Sequence, residues 1–381
     1  MKKIQMVDLI SQYEKIKPSV DKAISNVIHN ATFINGPEVH SFKDDLQEYL
    51  NVKHVIPCAN GTDALQISLM SLGLKPGDEV ITPSFTYIAT TEVIALLRLK
   101  PVFVDVQKDT FCIDPKELEK AITPNTKAIV PVHLYGQAAN MNEIMNIANK
   151  HNLFVIEDNA QAIGSDFKKS DGSLVKTGTI GTIGCTSFFP SKNLGCYGDG
   201  GAIFTNDDDL AEKIRSLRDH GAKISDLQRH HGPKPYLLSD HPYAGFNQRM
   251  TDIQGALGSS QMDRAQKIID ERQNIAAKYN HALKEIEWLK TPIINKDFEH
   301  GYQSYVCLFS PEKIDINSID KINDRRNKIM NKLFSKGIST RPGTHAVHML
   351  HYYKEKYNIL PQKFFNSYAA SLCSIALPLY N

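Results

Sequence analysis

One lysine, Lys192, stands in SFFPSKNLGCYGDGG (residues 187–201), between a run of aromatics and a stretch holding four glycines. Lysine forms a Schiff base with an aldehyde, and a lysine drawn out of water has its pKa lowered toward a usable value. The glycines would let backbone pass close to a ligand. Taken alone, the stretch reads equally as a surface turn with Lys192 in solvent, because ordering and desolvating a long ammonium side chain is costly. Three further stretches carry residue types suited to chemistry. In VIEDNAQAIG an apolar run ends in Glu157 and Asp158, with Gln161 three residues beyond Asp158. A carboxylate at the buried end of a strand needs a partner, and a protonated ring nitrogen would be one; a helix cap is the alternative. CANGTDAL places Gly61, Thr62 and Asp63 where backbone N–H groups and a hydroxyl could cradle a phosphate. The same residues also make an ordinary N-cap. Tyr87, in EVITPSFTYIAT, either covers the face of a flat ring or packs in the core.

The elements that must position these residues follow from hydrophobic spacing. Two amphipathic helices, within SQYEKIKPSVDKAISNVIHNATF and VHSFKDDLQEYLN, flank the turn NGP at residues 35–37. Short Val-, Ile- and Phe-rich runs then alternate with helices: HVIPCAN, EVITPSF, PVFVDV, AIVPVHL, LFVIEDNA, GCTSFF and GAIFTN. That alternation predicts an α/β fold with a large, mostly parallel sheet covered on both faces. The large domain is expected over residues 1–250. Residues 251–381 are read as a long linking helix, IQGALGSSQMDRAQKIIDERQNIAAKYNHAL, followed by a small α+β C-terminal domain. Ligands of parallel α/β sheets sit beyond the carboxyl ends of the strands, which is where Gly61, Tyr87, Asp158 and Lys192 fall. A strand-end aspartate, a phosphate cradle, a covering aromatic and a turn-borne lysine together match the needs of pyridoxal phosphate.

Composition removes other classes. Hydrophobic content of 41%, charged content of 23% and a formal charge of +2 are ordinary for a globular enzyme and do not suggest nucleic-acid binding. The six cysteines show no CxxC pair or His–Cys cluster, so neither a metal knuckle nor a disulfide framework is indicated. No apolar signal core or membrane-length segment is seen, which gives a cytoplasmic expectation with no membrane partner. A dinucleotide-binding oxidoreductase would need GxGxxG after an early strand, where this chain has NGTDA. The polar, histidine-rich stretch at 222–242 reads as a loop, on the surface or reaching a site.

The motifs NGPEV (35–39), ANGTDAL (59–65), PGDEVITPSFTYIAT (76–90), PVFVDV (101–106), IEDNAQAIG (156–164), SFFPSKNLGCYGDGGA (187–202) and GFNQRMTDIQGALG (245–258) span nearly the whole chain. In them the sequence resembles the DegT/DnrJ/EryC1/StrS family of pyridoxal-phosphate-dependent nucleotide-sugar aminotransferases, which have the aspartate-aminotransferase-like fold (fold type I). The resemblance implies that Lys192 holds pyridoxal 5′-phosphate as the internal aldimine, that Asp158 pairs with the pyridine nitrogen and that Gln161 contacts the ring hydroxyl oxygen. It implies that Thr62, the Gly61 and Asp63 backbone and Ser187 hold the phosphate, and that Tyr87 stacks on the ring. Asn247 matches a residue that reaches the neighbouring subunit's phosphate, so a homodimer with shared sites is implied. L-glutamate is the implied amino donor and a nucleotide-linked keto-sugar the acceptor. Some relatives carry histidine at the lysine position and dehydrate sugars; here that position is Lys192. A regulator that had kept only the fold would be expected to have lost Lys192 or Asp158, and an aldolase-type enzyme is set aside only by the resemblance. The FFPSKNLG…GDGG form resembles relatives acting on 3-keto sugars, which points to amination at C3; C4 of a 4-keto-6-deoxyhexose is the alternative. The amino sugar made would serve polysaccharide biosynthesis, lipopolysaccharide included. In STRPGTHAVHMLHYY, Arg341, His345 and His348 align with a segment that approaches the sugar, and Arg229 and His230 in the 222–242 loop are further expected contacts. Asn159 departs from the small residue usual beside the key aspartate.

Overall fold

A computed structural model describes residues 3–223, 236, 238–293 and 297–380. Helix α1 (Leu9–Asn30) starts where the Asp8 carboxylate accepts the Ser11 N–H at 3.0 Å. Helix α2 (Pro37–Leu50) starts on Pro37, and its first turn is capped from far along the chain: Asp252 accepts the N–H groups of Gly36 at 2.8 Å and Glu38 at 3.1 Å. The buried face of α2 is Val39, Phe42, Leu46 and Leu50, spaced three and four apart. Burying each such side chain contributes roughly 1.5–3 kcal/mol.

The central sheet has seven strands: β1 (His54–Cys58), β2 (Glu79–Pro83), β4 (Lys100–Val104), β5 (Thr126–Ile129), β6 (Phe154–Asp158), β9 (Ile183–Ser187) and β10 (Gly201–Thr205). Their order is β1-β10-β9-β6-β5-β2-β4. Only β10 runs against its neighbours, so the sheet is mostly parallel, as the alternating pattern predicts. The carboxyl ends of β1, β2, β4, β5, β6 and β9 therefore share one edge. The start of β10 joins them there, with Gly201 opposite both Cys58 and Ser187. Helices α3 (Gly61–Ser71) and α7 (Asp208–Arg218) pack on one face around Ile56, Ile67, Val80, Ile156 and Ile203.

The C-terminal part is built on a three-stranded antiparallel sheet of Leu289–Lys290, Tyr305–Phe309 and Ser374–Leu377, covered by the helix Ile319–Ser335. Gly337, at φ +80°, lies just beyond that helix. The segment leading to this part is two helices, Asp252–Met262 and Ala265–Leu283, instead of one; the turn at Asp263–Arg264 breaks the repeat. A bridge joins the C-terminal part to the large sheet's functional edge: His345 and Ala346 pair with Thr86 and Phe85. Asp105 adds a second tie by accepting the N–H groups of Asn366 and Ser367, each at 2.9 Å. Among the described residues no helix is long and apolar enough to cross a membrane.

Two histidines are buried as neutral rings. His300 stacks on Tyr302 with centroids 3.9 Å apart and accepts the Tyr302 N–H at Nδ1, and burial pulls its pKa to about 3. His348 is fully buried edge-on to Phe364, and burial pulls it to about 4. Both folded values lie below the ordinary 6.5, so the unfolded chain takes up these protons first. The stability the two provide is complete above pH 6.5 and is lost as the pH falls toward the folded values. By pH 4.5 the pair should cost about 5 kcal/mol of unfolding free energy, and His300→Phe should remove about half of that dependence. Urea unfolding of both proteins between pH 7 and 4.5 checks this; parallel pH profiles would contradict it.

Candidate active site

β9 delivers Ser187 to the shared edge, and the chain then turns through Lys192 and back. Phe188 anchors the turn by packing edge-on against Phe42 at 4.9 Å. Hydrogen bonds from Phe188 N–H to Gly200 O (2.7 Å), Cys196 N–H to Phe188 O (2.9 Å) and Lys192 N–H to Phe189 O (2.8 Å) close it. Lys192 is partly buried, not in open solvent. Desolvation brings its ammonium pKa down to about 8, with the Asp158 charge pulling the other way. The surface-turn reading of Lys192 therefore fails, and about a tenth of its amine is free base at pH 7, far more than for a lysine at the ordinary 10.5.

Asp158 ends β6 and is buried. Thr90 Oγ donates to Oδ2 at 2.7 Å and Ala160 N–H to Oδ1 at 3.1 Å. Burial raises its pKa, and Thr90, the Ala160 N–H, Lys192 and His133 act against that rise. Among the described residues no lysine or arginine side chain pairs with this carboxylate, so it is a buried acid whose hydrogen-bond partners there are neutral. Alternation along β6 turns its neighbour Glu157 to a different set of contacts. Glu157 is fully buried and accepts N–H groups from Gly178 (2.8 Å), Ile180 and Gly181, and Nε2–H of His133 at 2.8 Å. The Ala139 N–H donates to His133 Nδ1 at 3.1 Å, which places the proton on Nε2. Gln161 Oε1 accepts the Tyr135 N–H at 2.8 Å, which leaves its amide nitrogen as the donor.

Helix α3 begins at the same edge. Its Gly61 faces Ser187, and a Cβ on Gly61 would stand 2.7 Å from Ser187 Cβ, so a side chain there would close the gap. Asn60 caps the helix by accepting the Asp63 N–H at 2.8 Å. That bond corrects one expectation: the Asp63 N–H is already committed to Asn60, and among the described residues the first-turn N–H groups without a partner are those of Gly61 and Thr62. The Asp63 carboxylate is also engaged, accepting from Asn60 Nδ2 at 2.9 Å and Gln248 Nε2 at 2.8 Å. Its part is to brace the cradle.

Tyr87 is 56% exposed, just past the strand end, with the His345 ring 6.5 Å away across the β bridge. His345 and Arg341 are both exposed. His348 is not with them; its burial against Phe364 makes it a packing residue, which corrects its expected role as a sugar contact. Asn247 is exposed and its Oδ1 accepts from Arg249 Nε at 3.0 Å, while the next residue, Gln248, braces Asp63. Arg229 and His230 lie outside the described residues. Sequence reasoning names Glu157 beside Asp158 without a role and misses Thr90 and His133. Of the three, Glu157 alone carried a signal, as the first carboxylate of the strand-end pair.

Residues 14–381 match the DegT/DnrJ/EryC1/StrS aminotransferase family. The chain belongs to that family. A UDP-2-acetamido-2-deoxy-3-oxo-D-glucuronate aminotransferase of Pseudomonas aeruginosa is 45% identical over 302 residues, 79% of each chain. A pleiotropic regulatory protein of Geobacillus stearothermophilus is 46% identical over 282 residues, 74% of this chain and 71% of that one. In structure, NtdA of Bacillus subtilis with bound cofactor PMP superposes with a TM-score of 0.80 at 31% identity, covering 96% of this chain and 78% of that one. Membership makes the chain an aminotransferase of fold type I that works with a pyridoxal-type cofactor on nucleotide-linked keto-sugars. The residues present fit that group. A helix N-terminus that starts on Gly61 suits its phosphate, a buried carboxylate with no lysine or arginine partner among the described residues suits its ring nitrogen, and a desolvated lysine suits its aldehyde.

Proposed function

We propose that the chain transfers the amino group of L-glutamate to C3 of a nucleotide-linked keto-sugar, with pyridoxal 5′-phosphate held at Lys192 in a homodimer that shares its two sites. The observation that carries this reading is the pairing of a partly buried, desolvated Lys192, on the turn after one strand, with the buried Asp158 at the end of the neighbouring strand, each within the field of the other's charge. When bound, the cofactor supplies an aldehyde that accepts an amine and a ring that accepts electrons. The chain's residues do the rest. Once the amino donor has taken its place on the cofactor, the released Lys192 amine would carry the proton from the donor's α-carbon; without cofactor, burial lowers its pKa to about 8, which favours the free base that role needs. The Asp158 carboxylate keeps the ring nitrogen protonated. The Gly61 and Thr62 N–H groups, the Thr62 hydroxyl and Ser187 hold the phosphate, the Gln161 amide donates to the ring oxygen, and Tyr87 covers the face. Asn247 serves the partner's phosphate. His345, exposed beside Tyr87, and the exposed Arg341 meet the sugar or its diphosphate, and Arg229 and His230 stay with them as proposed contacts.

Both catalytic side chains are in place, which argues against a purely regulatory role despite the name of the Geobacillus stearothermophilus relative. Two observations favour C3: the FFPSKNLG…GDGG form, and the 3-oxo sugar in the name of the relative from Pseudomonas aeruginosa. The six cysteines are unpaired and buried, which suits a reducing cytoplasm. Purified protein incubated with L-glutamate and, separately, UDP- and dTDP-linked 3-keto and 4-keto sugars is expected to give only a 3-amino product, with the amine position assigned by NMR. A 4-amino product would contradict C3; no product from any sugar would contradict the transamination.

A further inference from the structure

The lysine turn is not regular secondary structure, and its own hydrogen bonds leave Ser191 O and the Asn193 side chain to be satisfied from outside. One short segment, residues 301–303, which leads into the strand Tyr305–Phe309 of the C-terminal part, reaches both Ser191 O and Asn193 Nδ2; Asn193 Nδ2 also lies 3.5 Å from Ile163 O, and its Oδ1 has no partner among the described residues. Asn193 Nδ2 donates to Gly301 O at 2.9 Å, and Gln303 Nε2 donates to Ser191 O at 3.2 Å. The residues on either side of Lys192 are thus gripped together.

The segment is itself held firmly. The Gly301 N–H lies 2.9 Å from Gly136 O and 3.1 Å from Ser165 Oγ. Arg272, buried and still protonated with its pKa lowered to about 10, donates from Nη1 to Tyr302 O at 3.0 Å and Gln303 O at 3.2 Å. Gly136, at φ +97°, lets the segment come this close, because a Cβ there would stand 2.7 Å from Tyr302 N. A charged anchor and a glycine contact therefore fix the backbone of the 301–303 segment, and two side-chain amides tie that segment to the lysine turn at the residues directly before and after Lys192.

We propose that Asn193 and Gln303 are positioning residues, through which the 301–303 segment sets where the Lys192 amine stands against the cofactor. This rests on Lys192 holding that cofactor. A lysine stem is flexible, so its amine is placed only as well as the backbone that carries it, and a shift of about 1 Å at a reacting group costs on the order of 10²-fold in rate. Losing one of two grips should cost less than that. The grip also couples the C-terminal part to the lysine, so whatever moves that part moves the amine.

The test uses the full-length, cofactor-loaded protein and two substitutions. Gln303→Met keeps length and removes the donor; Asn193→Ala removes the other grip and serves if the first misfolds. Tyr279→Phe is the control, since it removes a hydrogen bond to Pro378 O (2.9 Å) elsewhere in the C-terminal part. Among the described residues the charge acting on Lys192 is that of Asp158, which none of these touches, so a change at Lys192 reports geometry. In each grip variant the pH midpoint of the visible cofactor band is expected to move by about half a unit or more. Turnover should fall roughly tenfold with the KM for L-glutamate within about twofold. Tyr279→Phe should lower the melting temperature and leave the midpoint in place. Midpoints that stay with the parent while melting temperatures fall would overturn the proposal alone; a parent protein with no visible band would overturn it together with the reading of Lys192.

Discussion

Lys192→Ala is expected to lower turnover by on the order of 10⁴-fold or more, because it removes the covalent attachment and the proton carrier in one change. Steady-state transamination with L-glutamate checks this, and retention of more than about a hundredth of parental turnover would rule out Lys192 as the proton carrier. The substitution should have a second, opposite signature. The folded pKa of about 8 lies below the ordinary lysine value of 10.5, so the fold disfavours the charged form. That penalty is present below pH 8 and is relieved as the pH rises through the interval to 10.5. Without cofactor, Lys192→Ala should therefore melt at a higher temperature than the parent at pH 7, with the gap narrowing toward pH 10. A lysine kept for structure would behave in the reverse way.

Asp158→Asn is the second large effect. The amide keeps the shape and can still accept from Thr90, but it cannot balance a cationic ring nitrogen. Turnover should fall by about 10²–10³-fold, the range seen when one preorganised electrostatic partner is removed. Burial raises the Asp158 pKa, so the folded chain without cofactor holds its charge at a cost above that raised value, and the amide removes the cost. The variant should melt higher without cofactor and gain less on adding pyridoxal phosphate. Thermal melts of both proteins with and without the cofactor check this; an equal gain in the two would separate Asp158 from the cofactor. Stability given up at a site in exchange for function is the common signature of catalytic groups.

The site was legible in the sequence where chemistry is local. Lys192 on its glycine-rich turn, Asp158 at the end of an apolar run and Gly61–Thr62 at a helix start are each placed by a strand and the few residues after it, and the parallel sheet brings those strand ends to one edge. What depended on distant packing was not legible. The segment from Ile253 to Leu283 contains no proline, and its apolar spacing runs on through Asp263, yet the chain turns there, where the Arg264 N–H bonds Gln261 O at 2.9 Å. His345 and His348 look alike in a polar stretch. The pairing of His345 with Thr86, and the bond from Val347 N–H to Ser84 O at 2.9 Å, leave the first on the rim and carry the second inside. Asp63 looked like a phosphate donor because the Asn60 cap that uses its N–H is a side-chain choice. The grip of Gln303 and Asn193 joins residues more than a hundred positions apart, and no spacing rule reports it.

The most direct test of the account is covalent. Borohydride reduction of the protein loaded with pyridoxal phosphate, followed by proteolysis and mass spectrometry, should place a single phosphopyridoxyl group on the peptide carrying Lys192, and L-glutamate added before the reductant should prevent it. A label on another lysine, or one that L-glutamate does not displace, would contradict the assignment of Lys192 as the residue that holds and serves the cofactor.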